Sequence, residues 1–455
     1  MNVLLAHGIG GVRDLPVPEW LFMYGAALVL IVSFVALALL WERPLLAKHA
    51  DGRPLPAGVQ SFVFWPALRI AAGAISVFLL FVVTFAAFAG NELPRENLTP
   101  VFVFVVFWLG LVPVVVVLGN VWPALNPWKA GADAVAWVSD RLGSASEPLG
   151  RYPERLGRWP AAAQLFLFAA LELAYFDPSN PRALGVAIVF YSLINWFGAA
   201  WFGREAWFTN AEGFTVYFGA LAHIAPLAVQ TDAEGERTLV LRPPLVGLTR
   251  FATPPGTLAF VAVMLGSVGF DGFSRTSWWL DPREEVRNAA PGAFDWTGTF
   301  VNAVGLLLAV AAVAGAYLLA VAVAKRLART RENLVHAFVE SLVPIALVYA
   351  VSHYFSLLLG QGQAAIRLAS DPLGRDWNLF GTADMAIDLT PVSPNMIWYV
   401  QVGALLAGHV AGLALAHDRA VELFPSTRQA LRTQYPLLAL MVLYTVGGLW
   451  LLSQG

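Results

Sequence analysis

The 455-residue sequence lacks cysteine altogether. Without thiols the chain forms no disulfide, no thiolate metal site and no iron–sulfur cluster, and it has no cysteine nucleophile. Any metal or catalytic site must therefore be built from His, Asp, Glu, Ser, Tyr or backbone groups.

Charge is also scarce. Asp, Glu, Lys and Arg make up 13% of the chain, whereas a soluble globular protein carries about 25%. The net charge is −2, and no basic cluster is interleaved with aromatic residues, so no nucleic-acid partner is predicted. With 58% hydrophobic residues and a mean hydropathy of +0.65, the composition predicts an integral membrane protein whose first partner is the lipid bilayer.

Apolar runs of about 17–25 residues, long enough to cross a bilayer, are the main feature that is present. The run at 161–176 is short and the run at 254–270 is marginal, so each is alternatively a tilted or re-entrant segment. The sequence predicts an all-α fold, a polytopic bundle of about ten transmembrane helices in a single integral membrane domain over 1–455. The ten runs are 21–41, 70–90, 101–119, 161–176, 183–203, 254–270, 299–324, 334–359, 395–416 and 435–453.

The distribution of basic residues predicts how the chain is oriented. One set of alternate loops holds 20 of the 28 Lys and Arg residues and the other set holds 8. Because Lys and Arg accumulate in cytoplasmic loops, both termini are predicted to be extracytoplasmic. Lysine occurs at only three of the 28 basic positions, a bias typical of GC-rich bacteria, so we expect the bacterial cytoplasmic (inner) membrane.

Several segments outside the runs have a character of their own. Residues 1–20 form an extracytoplasmic N-terminal segment, and 271–298 and 361–393 are acidic extracytoplasmic loops that serve either as a lid or as plain connectors. Residues 204–226 are too polar to span and predict an interfacial amphipathic helix. The alternation in Glu236 to Leu245 predicts a short strand or hairpin.

The first candidate site residue is His353, inside the run 334–359. An ionisable side chain is costly in a membrane interior and marks a functional site by default, so His353 is expected to be a catalytic residue or a metal ligand. At about 100° per residue, it shares a polar stripe with Tyr349, Ser352 and Ser356. These hydroxyl groups line a substrate cavity in one interpretation and serve helix packing in the other.

Polar residues in neighbouring runs are expected to complete this cavity. Glu172 is the second catalytic candidate, because a carboxylate near a histidine allows general-base activation of water or metal ligation. Gln401, His409 and Asn195 are expected to line the cavity. With a rise of about 1.5 Å per residue, His353 and His409 differ in depth by about 10 Å, too far to share a metal. Gln164 is expected two turns below Glu172 on a similar face, and other polar groups expected at the outer depth are Asp177, Tyr191, Ser192, Asp271 and Asn302.

The N-terminal residues contain one more candidate metal ligand. MNVLLA is shorter than a secretory signal of about 15–30 residues, so either the first span is the insertion signal or a longer signal peptide ends near Ala6. Cleavage after Ala6 would make His7 the terminal residue, whose amine and imidazole chelate copper. A glycine-rich segment without a ligand role is the alternative, and sequencing of the mature N-terminus distinguishes the two.

Six stretches spread over nearly the whole chain carry a family resemblance: AHGIGGVRDLPVPEW (6–20), GNVWPALNPW (119–128), GREAWFTNAEGFTVYFG (203–219), SVGFDGFSRTSWW (267–279), SLVPIALVYAVSHYFSLLLGQGQ (341–363) and GHVAGLALAHDRA (408–420). In these stretches the chain resembles the fenitrothion hydrolase-like membrane proteins of actinobacteria and related bacteria. The resemblance implies a membrane-bound hydrolase of an organophosphate ester. It carries no catalytic residue onto this chain, which has no HExxH, GxSxG or HxH motif.

Three functions remain open. In the first, His353 and Glu172 activate water, directly or through a divalent metal, against an apolar ester that arrives from the bilayer. In the second, the same cavity is the midplane site of a transporter for a small solute or metal ion, with His353, Gln401 and His409 as a polar path. In the third, the chain is a metal- or haem-binding subunit. A second membrane subunit or a homo-oligomer is a further expected partner.

Overall fold

A computed structural model describes residues 19–144, 147–290, 295–388 and 390–454. Most of the N-terminal segment 1–20, including His7, lies outside these residues. The described chain is mostly helical and has eight helices that are long and apolar enough to cross a membrane. The predicted all-α polytopic bundle is confirmed.

The helices are α1 (Glu19–Leu40), α2 (Ala57–Val63), α3 (Pro66–Ala89), α4 (Leu98–Val101), α5 (Leu111–Leu118), α6 (Trp122–Leu125), α7 (Pro127–Arg141), α8 (Trp159–Leu173), α9 (Pro181–Phe202), α10 (Arg204–Asn210), α11 (Gly213–Ala222), α12 (Thr257–Phe273), α13 (Ser277–Ala289), α14 (Trp296–Ala328), α15 (Leu334–Phe338), α16 (Val343–Ser370), α17 (Pro394–Leu423) and α18 (Thr427–Gln454). A π-helix over Phe102–Leu109 joins α4 to α5. Short 3₁₀ turns cover Ala47–His49, Pro94–Glu96, Glu154–Leu156, Val246–Arg250 and Val339–Leu342.

All ten predicted apolar runs are helical, but not all are long enough to span. Helix α8 has only 15 residues. Helix α12 has 17 residues and meets α13 at an 80° bend, and counting that pair as one broken span brings the total in the described chain to nine. The two runs that differ from the prediction are the short and marginal ones.

The segment 271–298, predicted to be a loop, contains helix α13. Helix α12 ends where Ser274 and Thr276 turn their hydroxyl groups back to backbone carbonyls, Ser274 to Asp271 and Thr276 to Phe273. Side-chain hydroxyl groups that hydrogen-bond to nearby backbone carbonyls compete with the continuation of the helix. The chain therefore bends and restarts as α13.

The other predicted loop, 361–393, begins as helix. Helix α16 continues to Ser370, and the proline at position 372 stops it because proline disfavours helix in the residue before it. Two backbone hydrogen bonds then fix the segment to the turn after α3, from Asn91 to Leu373 and from Leu98 to Pro372. These contacts hold the start of this segment against the chain between α3 and α4.

The prediction of an interfacial helix over 204–226 is wrong for its second half. The segment forms α10 and α11, and α11 is buried in the main core. Its aromatic side chains find partners inside the bundle: Phe214 meets Phe107 with ring centroids 4.5 Å apart, and Tyr217 stacks on Trp108 at 4.6 Å. Aromatic burial of this extent favours a core position over a surface one.

The predicted hairpin after α11 is confirmed. Strands β2 (Leu227–Thr231) and β3 (Arg237–Leu241) pair antiparallel, and β1 (Arg53–Pro54) adds to the other side of β3. The register pairs Ala228 with Val240. This small sheet joins the chain after α1 to the chain after α11.

The distribution of apolar side chains separates outer from inner helices. Leu28, Phe78, Phe190 and Leu319, on four different spans, are each more than 60% exposed, as expected for helices that face lipid. Helix α12 is the opposite case, since most of its side chains are buried. It lies inside the bundle between α8, α14 and α16.

The absence of cysteine allows a direct test of the predicted orientation. A single cysteine in place of Asp384, which is exposed in the segment after α16, should react in intact cells with a membrane-impermeant maleimide. A single cysteine in place of Glu236, which is exposed beside β3, should react only after the membrane is opened. The opposite labelling pattern would contradict the orientation derived from Lys and Arg.

Candidate functional site

Asp271 lies at the centre of a buried polar cluster. Its Oδ2 atom accepts hydrogen bonds from His353 Nε2 at 2.6 Å and from the Tyr354 hydroxyl at 3.1 Å. Its Oδ1 atom accepts one from Arg275 Nη2 at 2.6 Å. Asp271, Arg275, His353 and Tyr354 are called the Asp271 cluster below.

Two helices supply this cluster. Asp271 is in the last turn of α12, and Arg275 follows four residues later, a spacing that brings two side chains together in a helical turn. His353 and Tyr354 are neighbours on α16 whose rings meet edge to face, with centroids 4.8 Å apart. The exposed side-chain fraction rises from 5% at Asp271 to 14% at His353 and 30% at Arg275, so the cluster runs from the interior toward the surface.

Glu172, on α8, lies beside this cluster and faces a very small cavity. Its carboxylate interacts electrostatically with Asp271, Arg275 and Tyr354. The cavity has a volume of about 10 Å³, which is space for about one water molecule. Glu172 makes no hydrogen bond to another residue of the described chain. The cavity is lined by Trp108, Leu165, Ala169, Glu172, Leu173, Tyr217, Met264, Ser267, Val268, Ala346, Ala350 and Tyr354.

The structure gives no support to metal binding at His353. No group of three His, Asp or Glu side chains within residues 19–144, 147–290, 295–388 and 390–454 lies close enough to hold a metal ion. The Nε2 atom of His353 is directed to Asp271, and Arg275 already supplies a positive charge to that carboxylate. The other proposed ligand, His7, lies outside the described residues.

Two of the predicted cavity-lining residues, Ser352 and Tyr349, bond to neighbouring helices instead. Ser352 donates to the carbonyl of Gln401 at 2.9 Å and so joins α16 to α17. The Tyr349 hydroxyl donates to the carbonyl of Tyr444 on α18. These bonds correspond to the helix-packing alternative for the polar stripe. Ser356 is half-buried, one turn beyond Ser352.

His409 is fully buried and separate from the Asp271 cluster. Its Nδ1 atom bonds to the carbonyl of Leu405 at 2.8 Å, and its ring lies near Tyr349, with centroids 5.9 Å apart. No described residue provides a hydrogen-bond partner for its Nε2 atom. His353 and His409 therefore do not form one polar path through direct contact.

A second buried carboxylate, Glu212, was not predicted. It caps α11 by accepting hydrogen bonds from the backbone N–H groups of Phe214 and Thr215 at 3.0 and 2.8 Å. It also accepts bonds from the side chains of Trp122, Asn126, Tyr191 and Thr215. The sequence signal that points to it is an acidic residue directly before an apolar run, the position of a helix N-cap.

Asn195 belongs to the surroundings of Glu212 and lies away from His353 in the hydrogen-bond network. It donates to Gln164 Oε1 at 3.1 Å and accepts from Trp207 Nε1 at 2.8 Å. Gln164 donates in turn to the carbonyl of Ala211, next to Glu212. The predicted outer cavity is thus divided between two networks, one around Asp271 and one around Glu212.

A much larger cavity lies on the other side of α8 and has a volume of about 470 Å³. Leu167, Phe168 and Leu171 face it from α8, whereas Leu165, Ala169 and Glu172 on the same helix face the water-sized cavity. Helix α8 therefore separates the two. The larger cavity is lined by Ile75, Ser76, Leu79, Leu80, Val83, Phe102, Val103, Val106, Phe107, Leu111, Trp122, Leu125, Pro127, Trp128, Gln164, Leu167, Phe168, Leu171, Leu184, Ala187, Ile188, Phe190, Tyr191, Ile194 and Phe214.

Comparison with protein-family models, with curated proteins and with solved structures finds no match to this chain. The fold and the site therefore rest on the chain's own residues.

Replacing Asp271 tests whether the cluster holds α12 and α16 together. Asp271→Ala leaves the charged Arg275 and the polar groups of His353 and Tyr354 without their common acceptor, so we expect a loss of about 3–5 kcal/mol in the free energy of unfolding. Thermal unfolding of the purified protein in detergent measures it. Asp384→Ala, at an exposed position, is the matched control and should leave Tm unchanged. Equal Tm values for the two variants would contradict the prediction.

Proposed function

We propose that this multi-pass membrane protein is a proton-coupled transporter in which Glu172 and the Asp271 cluster take up and release the proton. One observation carries the proposal. Glu172 has no hydrogen-bond partner in the described chain and faces a water-sized cavity. The neighbouring Asp271, by contrast, accepts hydrogen bonds from three donors. We further propose a bacterial cytoplasmic membrane as its location, from the scarcity of lysine among the basic residues.

The physical argument starts from the cost of charge inside a bundle. A buried carboxylate is stable as an anion when donors and a positive charge compensate it, as His353, Tyr354 and Arg275 do for Asp271. Glu172 has no such hydrogen-bond donors, so no hydrogen bond from the described chain stabilises its charged form over its neutral form. Carboxylates and histidines grouped in this way inside membrane proteins serve as proton relays.

The connection between the two cavities also supports transport. Helix α8 directs Phe168 to the large cavity and Glu172 to the small one. The π-helix directs Phe107 to the large cavity and Trp108 to the small one. A solute in the large cavity would contact α8, which carries Glu172, and the π-helix, which lines the small cavity. These contacts provide a physical route that couples the solute to the protonation of Glu172.

The helix geometry is of the kind that transporters use. The span over 98–118 contains the π-helix, and π-helical turns occur frequently at functional sites. The span over 334–370 is interrupted by the 3₁₀ turn at Val339–Leu342, and α12 meets α13 at 80°. Broken helices next to a buried polar site are common in transporters.

Glu172→Gln provides the test. Purified protein is placed in liposomes that contain a pH-sensitive dye, and a potassium gradient with valinomycin makes the interior negative. We expect wild-type protein to acidify the interior and Glu172→Gln to slow that flux by about tenfold or more, which corresponds to about 1.4 kcal/mol in the barrier, because glutamine cannot exchange a proton.

Glu285→Gln is the matched control, because Glu285 is an exposed carboxylate on α13. It should conduct protons as the wild type does, and all three proteins should unfold at similar temperatures. The proposal fails if wild-type protein gives the flux of protein-free liposomes, or if Glu172→Gln conducts as fast as the wild type.

Hydrolysis of an apolar ester is a second candidate function, favoured by the bond of 2.6 Å between His353 Nε2 and Asp271 Oδ2. With Asp271 ionised, Nε2 carries the proton and Nδ1 becomes the base, which would accept a proton from water as the water oxygen attacks the ester phosphorus. The phosphorus–oxygen bond to the leaving group then breaks, and the leaving alcohol takes up the proton from Nδ1. The resemblance to fenitrothion hydrolase-like proteins supports the same reaction. The cavity beside Glu172 does not favour it, since its volume of about 10 Å³ excludes an ester.

The hydrolase candidate predicts that His353→Ala loses at least about 100-fold in the rate of organophosphate triester hydrolysis, the contribution typical of a general base. His409→Ala serves as the control, because His409 is also buried but makes no contact with Asp271. Product release by purified protein in nanodiscs is the measurement. Equal rates for wild type and His353→Ala would remove His353 as the catalytic base.

A further inference from the structure

The cavity of about 470 Å³ has the size and the lining of a ligand site. Pockets for small molecules typically measure about 300–1,000 Å³ and have mostly hydrophobic and aromatic walls. Phe107, Trp122, Trp128 and Phe214 contribute aromatic rings to one part of its wall. Ring centroids only 4.5 Å apart, as between Phe107 and Phe214, show that this part of the wall is packed and preformed.

The mouth of the cavity opens on the outer apolar surface of the bundle. Ile75 on α3, Leu167 on α8 and Phe190 on α9 all line the cavity and are 58%, 61% and 62% exposed. These values belong to side chains on the part of the bundle that faces lipid. A ligand would therefore reach the cavity sideways, from the hydrocarbon of the bilayer.

The polar groups in the wall have already found partners. Trp128 Nε1 donates to Ser192 at 2.8 Å, Trp122 Nε1 donates to Glu212 at 3.4 Å, and the Tyr191 hydroxyl also donates to Glu212. No Asp, Glu, Lys, Arg or His is among the described residues that line the cavity. An ion or a phosphoryl group would lose its hydration there without gaining a counter-charge.

We propose that this cavity binds a small, uncharged aromatic molecule that enters from the bilayer. Burial of its apolar surface supplies the affinity, and edge-to-face or offset contacts with Phe107, Phe214 and Trp128 select a ring over an acyl chain. Binding itself does not depend on the proposed transport. The assignment of this molecule as the transported solute rests on the proposed function.

The tryptophans in the wall provide the measurement. N-phenyl-1-naphthylamine, an uncharged aromatic fluorophore, is titrated into protein in nanodiscs, and energy transfer from tryptophan to the probe is recorded. We expect saturable transfer with the wild type, because Trp122 and Trp128 would lie next to a bound probe. Empty nanodiscs give the background from probe dissolved in lipid.

Two variants fill the cavity from opposite walls. Ala187→Phe acts from α9 and Ser76→Phe acts from α3, and each should weaken binding by about tenfold or more, about 1.4 kcal/mol. Val186→Phe is the matched control, because Val186 is 45% exposed, is next to Ala187 and does not line the cavity. Thermal unfolding of both variants identifies any variant that has lost its fold. A loss of binding caused by unfolding is therefore recognised at either position.

The proposal is overturned if folded Ala187→Phe and Ser76→Phe bind the probe as tightly as Val186→Phe. It is also overturned if tetraphenylphosphonium or anilinonaphthalene sulfonate competes as well as naphthalene does, since a site for uncharged molecules should reject both ions. Probe binding is measured without a proton gradient, so it is read independently of proton flux. Normal binding with absent proton flux in the wild type would therefore reject the transport proposal and retain the ligand site.

Discussion

The contact between His353 and Asp271 is the interaction on which the candidate site depends. It joins α16 to the buried helix α12 at the point where α12 ends and the chain turns toward α13. A carboxylate placed there loses water on all sides, and its bonds to His353, Tyr354 and Arg275 offset that loss. The same bonds fix the direction of both side chains on α16, and so the position of the polar groups around Glu172.

Glu172 and Glu212 illustrate two uses of a carboxylate in one bundle. Glu212 accepts several hydrogen bonds and caps α11, so it supports a helix that is buried in the core. Glu172 has no such partner in the described chain and faces a cavity of about 10 Å³. The first arrangement satisfies the carboxylate and makes it structural. The second leaves a group whose protonation can change, which is why the proposed function is assigned to Glu172.

Helix α8 and the π-helix give the two cavities a common wall. An aromatic layer that includes Trp108, Phe168 and Phe214 fills the space between them, with Trp108 and Phe168 centroids 4.9 Å apart. Close-packed interiors transmit displacement because they contain little free volume. In the proposed mechanism, a ligand that enters on one side moves the groups on the other, which connects the proposed ligand site to Glu172 without direct contact.

The lengths of the apolar runs were enough to predict the helical bundle, because a span must be long and must satisfy its own backbone hydrogen bonds. The cost of a buried charge was likewise enough to single out His353 and Glu172 as candidates. The sequence could not show that Asp271, 82 residues before His353, is its partner, because that depends on how α12 packs against α16. Nor could it show that α11 is buried or that Ser352 and Tyr349 turn toward α17 and α18, since apolar residues suit both lipid and core, and only packing decides which faces meet.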